Sequence, residues 1–265
     1  DIGVTGLTAG FYNLAGKGAL RIIAGQSREE PGYHLIGYLA SSYAYDAGLT
    51  ELKDLPGHAI GISQVGSTFH YSIGLLAEKL GFPLASLKLV PLQSMANMAA
   101  AVQGKQVDAS LIPATIALPM IARGEAHLLG WVGDETPWQL GAIFAPARAI
   151  AERRAALENF LAGYRRGARA FYQAFLPNDG TPQPDITLQQ PNGGSDLLAI
   201  IAKYTGQSPE QLRSGIPYID PDAKLLVEDI YRQVAWYQSQ GLVDRSVDAR
   251  AILDLSFTGG PAAVQ

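Results

Sequence analysis

Apolar and polar positions along this chain follow two rhythms, short buried runs bounded by small residues and longer stretches at helical spacing, and one combination of them occurs twice. Near the start, Asp1-Ile2-Gly3-Val4-Thr5-Gly6-Leu7 reads as a strand and Thr8-Ala9-Gly10 as a tight turn. The apolar stretch to Lys17-Gly18 reads as a helix, and Ala19 to Gly25 as a second strand. Downstream, Asp108 to Ile112 is the strand and Pro113-Ala114-Thr115 the turn. The stretch to Arg123-Gly124 is then the helix and Ala126 to Trp131 the returning strand. Each copy is a strand, a turn of small residues, a helix closed by a basic residue and Gly, and another buried strand. Two such units predict two similar α/β lobes, a design that traps small ligands between them.

The second copy is preceded by a β-α-β-α segment: strand Ala59–Ser63, helix Thr68–Leu80 stopped by Gly81, strand Leu87–Leu92, and helix Met95–Gln103 stopped by Gly104. Strands alternating with helices predict a parallel sheet. The first copy has no such segment in front of it, so its lobe is expected to lack an N-terminal β-α-β-α piece or to complete its sheet otherwise, for example with another copy of the chain. Tyr33–Ala40 reads as extended, Ser41–Pro56 as a turn-rich crossing into the second lobe, and Gln139–Phe144 as the return. The expected division is residues 1–41 plus 143–265 as lobe 1 and 42–142 as lobe 2. From Ala147 onward the chain is mainly helical. One helix is expected over Arg148–Phe175, with Leu157, Phe160, Leu161, Tyr164 and Ala168 on one stripe, followed by a loop from Pro177 to Ser195. A capping-box helix starts at Ser208-Pro209-Glu210-Gln211, and another starts at Asp220-Pro221 with Leu226, Ile230, Val234 and Tyr237 along one face and Gly241 as its stop. These helices are expected to brace lobe 1, and Thr258 to Gln265 to form a loose tail.

Composition narrows the function. Lys+Arg 20 against Asp+Glu 24 gives a net charge of −4, which excludes the basic footprint of a nucleic-acid binder. Apolar runs such as Ala114 to Ile121 are too short to span a bilayer, and Pro119 interrupts that one. With Cys 0, disulfides, thiolate zinc sites and cysteine nucleophiles are ruled out.

Gly61-Ile62-Ser63-Gln64-Val65-Gly66-Ser67-Thr68 joins a strand to a helix with phosphate-loop spacing, but Ser67 stands where the lysine belongs, so nucleotide hydrolysis is not expected. Two readings remain: an ordinary capped βα turn, or N–H groups and hydroxyls at Gly66, Ser67 and Thr68 that accept a carboxylate or sulfonate. The turns at Thr8-Ala9-Gly10 and Pro113-Ala114 occupy the parallel positions. There, small residues serve either close packing or close approach of a ligand beyond the strand ends. Tyr33 and His34 are candidate ring contacts, with surface or sheet packing as the alternative. Trp138 is a candidate lid, whereas Trp131 is assigned to core or hinge. His58, His70 and His127 have no carboxylate at ligand spacing, so no metal site is expected. Glu29-Glu30 and Asp134-Glu135 read as solvated loop charges in preference to an acid–base dyad, with docking acids for a basic partner as a further reading. No G-x-S-x-G elbow organises a hydrolase, and no catalytic constellation is expected.

The run Asp1 to Leu7, the stretch Leu52-Lys53-Asp54-Leu55-Pro56-Gly57-His58-Ala59-Ile60-Gly61-Ile62-Ser63-Gln64-Val65-Gly66-Ser67, and Gly104-Lys105-Gln106-Val107-Asp108-Ala109 resemble the SsuA/THI5-like (NMT1-type) periplasmic substrate-binding proteins of ABC importers. The resemblance covers about residues 1–145. It implies a two-lobe, type II periplasmic-binding-protein-like α/β fold that closes on a solute and delivers it to a membrane permease. The chain would act in the periplasm or lipid-anchored at the cell surface, its leader absent from this sequence, and would carry no cofactor. Members take alkanesulfonates, taurine, nitrate-like anions, thiamine pyrimidine precursors or aromatic carboxylates. Related thiamine-precursor synthases carry a cysteine-rich motif, which a chain without cysteine lacks.

The expected ligand is a small organic acid. Thr8, Gly10, Gln64, Ser67 and Thr68 are expected to supply polar contacts and Phe11, Tyr33, Pro113 and Trp138 apolar walls, with Ala9, His34, Gly66 and Ala114 beside them. Two rivals remain: a biosynthetic or lyase-type enzyme of the same fold with His34 as general base, and a ligand-sensing module.

Overall fold

The computed structural model describes residues 1–176, 194–213 and 215–258. The loop expected over Pro177 to Ser195 and the tail expected from Thr258 lie almost wholly outside the described residues. The chain divides into two compact units. Unit 1 is Asp1–Arg28, Trp138–Gly180 and Tyr218–Gln265, and unit 2 is Glu29–Pro137 and Thr181–Pro217.

Along the chain, β1 (Gly3–Gly6), α1 (Ala9–Gly16) and β2 (Leu20–Gly25) form the first repeat, followed by the two-residue β3 (Arg28–Glu29). Then come β4 (Ile36–Ser41), α2 (Ser42–Asp46), β5 (Ala59–Ile62), α3 (Thr68–Leu80), β6 (Lys88–Pro91) and α4 (Met95–Gln103). The second repeat is β7 (Ala109–Pro113), α5 (Ala114–Ala122) and β8 (Ala126–Trp131), closed by the short α6 (Val132–Glu135). The remainder is β9 (Trp138–Gln139), β10 (Gly141–Pro146), α7 (Ala147–Glu152), α8 (Arg154–Phe175), α9 (Gly194–Thr205), α10 (Pro209–Arg213) and α11 (Val227–Ser239). Local chemistry sets many of these bounds. Ser67 and Ser94 cap α3 and α4 through their hydroxyls, and Gly81 closes α3 in the left-handed conformation at φ 74°.

The two repeats share a topology that the sequence did not disclose. In unit 1 the order is β1-β10-β2, with β10 antiparallel to both neighbours. In unit 2 the order is β6-β5-β7-β4-β8, with β6-β5-β7 parallel and β4 antiparallel to β7 and β8. In each unit the strand that follows a crossing of the chain is inserted between the two strands of the repeat.

This corrects the expected division. The first crossing falls at Arg28 and Glu29 rather than within Ser41–Pro56, because all six residues of β4 are buried inside the sheet of unit 2. The return falls at Trp138, ahead of residue 143.

In unit 1, Ile23, Ala24, Ile143, Ala145, Leu157, Leu161, Ala223 and Phe257 form one buried cluster, joining β2, β10 and α8. Tyr164 packs against it, whereas Phe160, expected on the buried stripe, is exposed. The helix expected over Arg148–Phe175 is interrupted at Arg153, and α11 starts at Val227 rather than at Asp220-Pro221. Asp220 instead closes a turn, its Oδ1 accepting from the Asp222 and Lys224 N–H groups. The capping box of α10 forms as expected, with Ser208 and Gln211 bonded reciprocally. However, α9 and α10 belong to unit 2, so among the described residues α7, α8 and α11 are the C-terminal helices of unit 1.

Candidate functional site

Strand direction decides what gathers at each sheet end. In unit 2, β6, β5 and β7 run the same way. Because β8 is antiparallel to β4, which is antiparallel to β7, β8 runs that way too. The starts of α3, α4, α5 and α6 therefore lie along one sheet edge, together with the residues just before β4. A carboxyl-end edge of this kind is where open α/β sheets take ligands. It holds Gln64, Gly66, Ser67, Thr68, Pro113, Ala114, Tyr33 and His34.

The turn before α3 is tightly organised. Ser67 Oγ accepts the His70 N–H at 3.3 Å, and the Gly66 N–H donates to His70 Nδ1 at 3.1 Å. Burial holds His70 below its ordinary value, so the neutral ring that accepts this bond is favoured. The Gly66 N–H, expected to meet an anion, is thus already used. Thr68 and Phe69 are the first-turn N–H groups with no protein partner among the described residues, and Gln64 is exposed beside them. On the next strand Pro113 is half-buried and Ala114 fully buried, its N–H donating to the Leu35 carbonyl at 2.9 Å. Ala114 therefore serves packing. Gly215 closes over this corner, where an added Cβ would lie 3.0 Å from the Thr115 methyl.

Tyr33 is buried at 8% exposure, while His34 is part-exposed and stacks on Trp131 with ring centroids 4.7 Å apart. His34 Nε2 lies 3.3 Å from Asp134 Oδ2, and Asp134 Oδ1 accepts the Gly32 N–H at 2.6 Å. Glu135 binds Lys79 at 2.7 Å. Glu29 has no exposed surface and its carboxyl oxygens make no hydrogen bond among the described residues. Burial drives its pKa well above the ordinary carboxylate value and the Asp134 charge adds to the rise; the Gly133 N–H, nearby but not placed for a full hydrogen bond, opposes it weakly. Glu29 is therefore not the solvated loop charge expected, whereas Asp134 remains exposed.

In unit 1 the ends of β1 and β2 and the start of β10 coincide. Thr8 Oγ1 accepts the Phe11 N–H at 3.2 Å and caps α1. Gly10 is exposed, and an added Cβ there would meet only Thr8 Oγ1 at 3.9 Å, so its small size serves no packing contact. Ala9 and Phe11 are buried, Phe11 against Phe144. Trp138, expected as a lid, has no exposed surface and is a core residue of unit 1. The part-exposed indole is Trp131, on the edge of unit 2. Next to Thr8 the edge is stiffened by amides: Gln139 Nε2 donates to the Ser27 and Gly141 carbonyls, and Ser27 Oγ donates to Gln26 Oε1 at 2.6 Å. Gln26 and Gln139 lie outside the expected ligand set, and in sequence Trp131 and Asp134 read as core or hinge and as a loop charge.

No protein-family model matches the chain, and no curated protein matches it. Solved structures do, and they define the class as the periplasmic-binding-protein fold of α/β type. The periplasmic aliphatic sulphonate binding protein SsuA from Escherichia coli is 18% identical, with a TM-score of 0.69 over 95% of this chain and 74% of that one. A ligand-binding component of an ABC-type import system from Staphylococcus aureus, with zinc bound, is 13% identical, with a TM-score of 0.68 over 100% and 81%. The desulfurization enzyme DszB is 14% identical, with a TM-score of 0.60 over 97% and 83%. Identities this low establish a shared fold.

Proposed function

We propose that this protein is the solute-binding component of an ABC importer, and that it takes a small organic acid of the sulfonate or aromatic carboxylate type. The observation that carries this reading is the edge of unit 2, where the helix starts of α3, α4 and α5 stand side by side with no acidic residue in any first turn. Aligned N–H groups and helix dipoles at such an edge favour an anionic group. Thr68 supplies a hydroxyl and open N–H groups lie beside it, while Trp131 and His34 offer ring faces to an apolar body. In unit 1, taken by itself, Thr8 caps α1 and Gly10 leaves the start of that helix uncovered. The fold shared with a sulphonate binder and with an import component supports the same role, with a membrane permease as partner and a periplasmic or cell-surface location.

The fold is also that of an enzyme, DszB, so the rival is turnover with His34 as general base. We favour binding without turnover, because the sulphonate binding protein and the import component share this fold at higher TM-scores than the enzyme. A thermal-shift panel of alkanesulfonates, aromatic carboxylates and pyrimidines tests the reading. At a hundredfold excess over Kd a ligand selective for the native state adds about 2.7 kcal/mol, a rise of roughly 5–10 °C in the midpoint. A saturable rise with acids supports it; a rise with pyrimidines alone, or with no class, contradicts it.

A further inference from the structure

Both oxygens of Asp134 are committed, one to the Gly32 N–H at 2.6 Å and the other to His34 Nε2 at 3.3 Å. The His34 ring is held flat on Trp131, with 6° between the planes. The indole thus fixes the plane of the imidazole and the carboxylate fixes its rotation. A carboxylate only accepts, so a hydrogen bond across this 3.3 Å contact requires the proton on Nε2 and leaves Nδ1 bare in the neutral ring. Nδ1 has no partner among the described residues, and the side chain keeps 26% of its surface exposed. It lies on the sheet edge already assigned to the solute.

We propose that Asp134 is a positioning residue that aims His34 so that Nδ1, protonated as the solute binds, donates to the solute's acidic group. This deepens the proposed function and rests on it. Charged groups on the segments around His34 are Glu29 and Glu30 before it and Asp134 and Glu135 on α6. Glu29 is buried, Glu135 is held by Lys79, and β8 contributes the uncharged Trp131. Capture of an anion by a neutral His34 then takes up one proton. Affinity is then expected to fall as pH rises, in the limit about tenfold per pH unit.

The test is calorimetric titration of the full chain with ethanesulfonate and benzenesulfonate between about pH 5.5 and pH 8.5, a span in which neither probe changes charge. Wild type is expected to lose affinity as pH rises, and His34→Gln to show a flat profile. Asp134→Asn, which keeps an acceptor for the Gly32 N–H, is expected to weaken binding about tenfold at low pH with its melting midpoint retained. Glu29→Gln is expected to keep the wild-type binding profile, which separates the two acids. Imidazole 15N spectra of the free protein, assigned with His34→Gln, are expected to show Nε2 protonated and Nδ1 bare at high pH, and to lose that preference in Asp134→Asn. A pH-independent affinity in wild type, or a proton on Nδ1 of the neutral ring, overturns the proposal while leaving solute binding intact. Failure of both sulfonates to bind wild type at any pH overturns the solute-binding reading and this proposal together.

Discussion

Glu29 gives the sharpest stability prediction. Its carboxyl group is fully buried, raised well above the ordinary value of 4.5 by desolvation and further by Asp134, so the folded protein holds its proton at pH values where the unfolded chain has released it. The sign follows from that difference. The stability contributed by the neutral acid is fully present below the unfolded pKa and is lost as pH rises toward the folded one. Over that window the loss approaches 1.36 kcal/mol per pH unit, the limiting slope for one proton. Glu29→Gln preserves shape and removes the titration. Urea unfolding followed by tryptophan fluorescence, repeated from about pH 4 to pH 8, should show the variant gaining on wild type by up to ~1.4 kcal/mol per unit and then running parallel. Parallel curves across the whole range, or a variant that loses ground as pH rises, would refute a buried neutral Glu29.

Substitutions at three further positions probe the edges and their supports. Ser67→Ala removes the cap of α3 and is expected to cost about 1 kcal/mol in urea melts; Ser67→Asp keeps the cap and stability but weakens acid binding about tenfold or more by charge repulsion, read by calorimetry. Gly133→Ala would place its Cβ 2.4 Å from the Glu30 carbonyl oxygen, so a loss of about 1–3 kcal/mol is expected, with unchanged chemical unfolding speaking against that packing. Gln233 has no exposed surface and bonds the Tyr12 hydroxyl, the Gln139 carbonyl and Asp229, each at 2.8 Å. Gln233→Leu is expected to cost roughly 2–4 kcal/mol, and thermal unfolding at the wild-type midpoint would show that this network contributes nothing net.

What the sequence disclosed was local. The helices Thr68–Leu80 and Met95–Gln103 have the bounds their caps and stops announce, and both repeats form as strand, turn, helix and strand. What it hid was pairing between distant segments. Ile36–Ser41 carries no mark of which sheet it enters, since a strand buried on both faces looks the same in either. Asp134 sits 102 residues beyond Gly32, so its bond to that N–H and to His34 has no spacing signal. His58 meets Asp108 at 3.1 Å in the same long-range way. Glu29-Glu30 read as a loop pair because adjacent acids usually face water, yet in an extended strand neighbours point to opposite sides and one can be buried. Trp131 and Trp138 exchanged roles because both lie near the return crossing, and only the packing tells which indole keeps an open face.

The claim that this chain binds an organic acid without transforming it is tested most directly by one calorimetric titration with the strongest acid from the thermal panel, followed by recovery and analysis of the ligand. Saturation at one ligand per chain and return of the compound unchanged are expected. Absence of binding heat at several temperatures, or recovery of a product in place of the acid added, would contradict it.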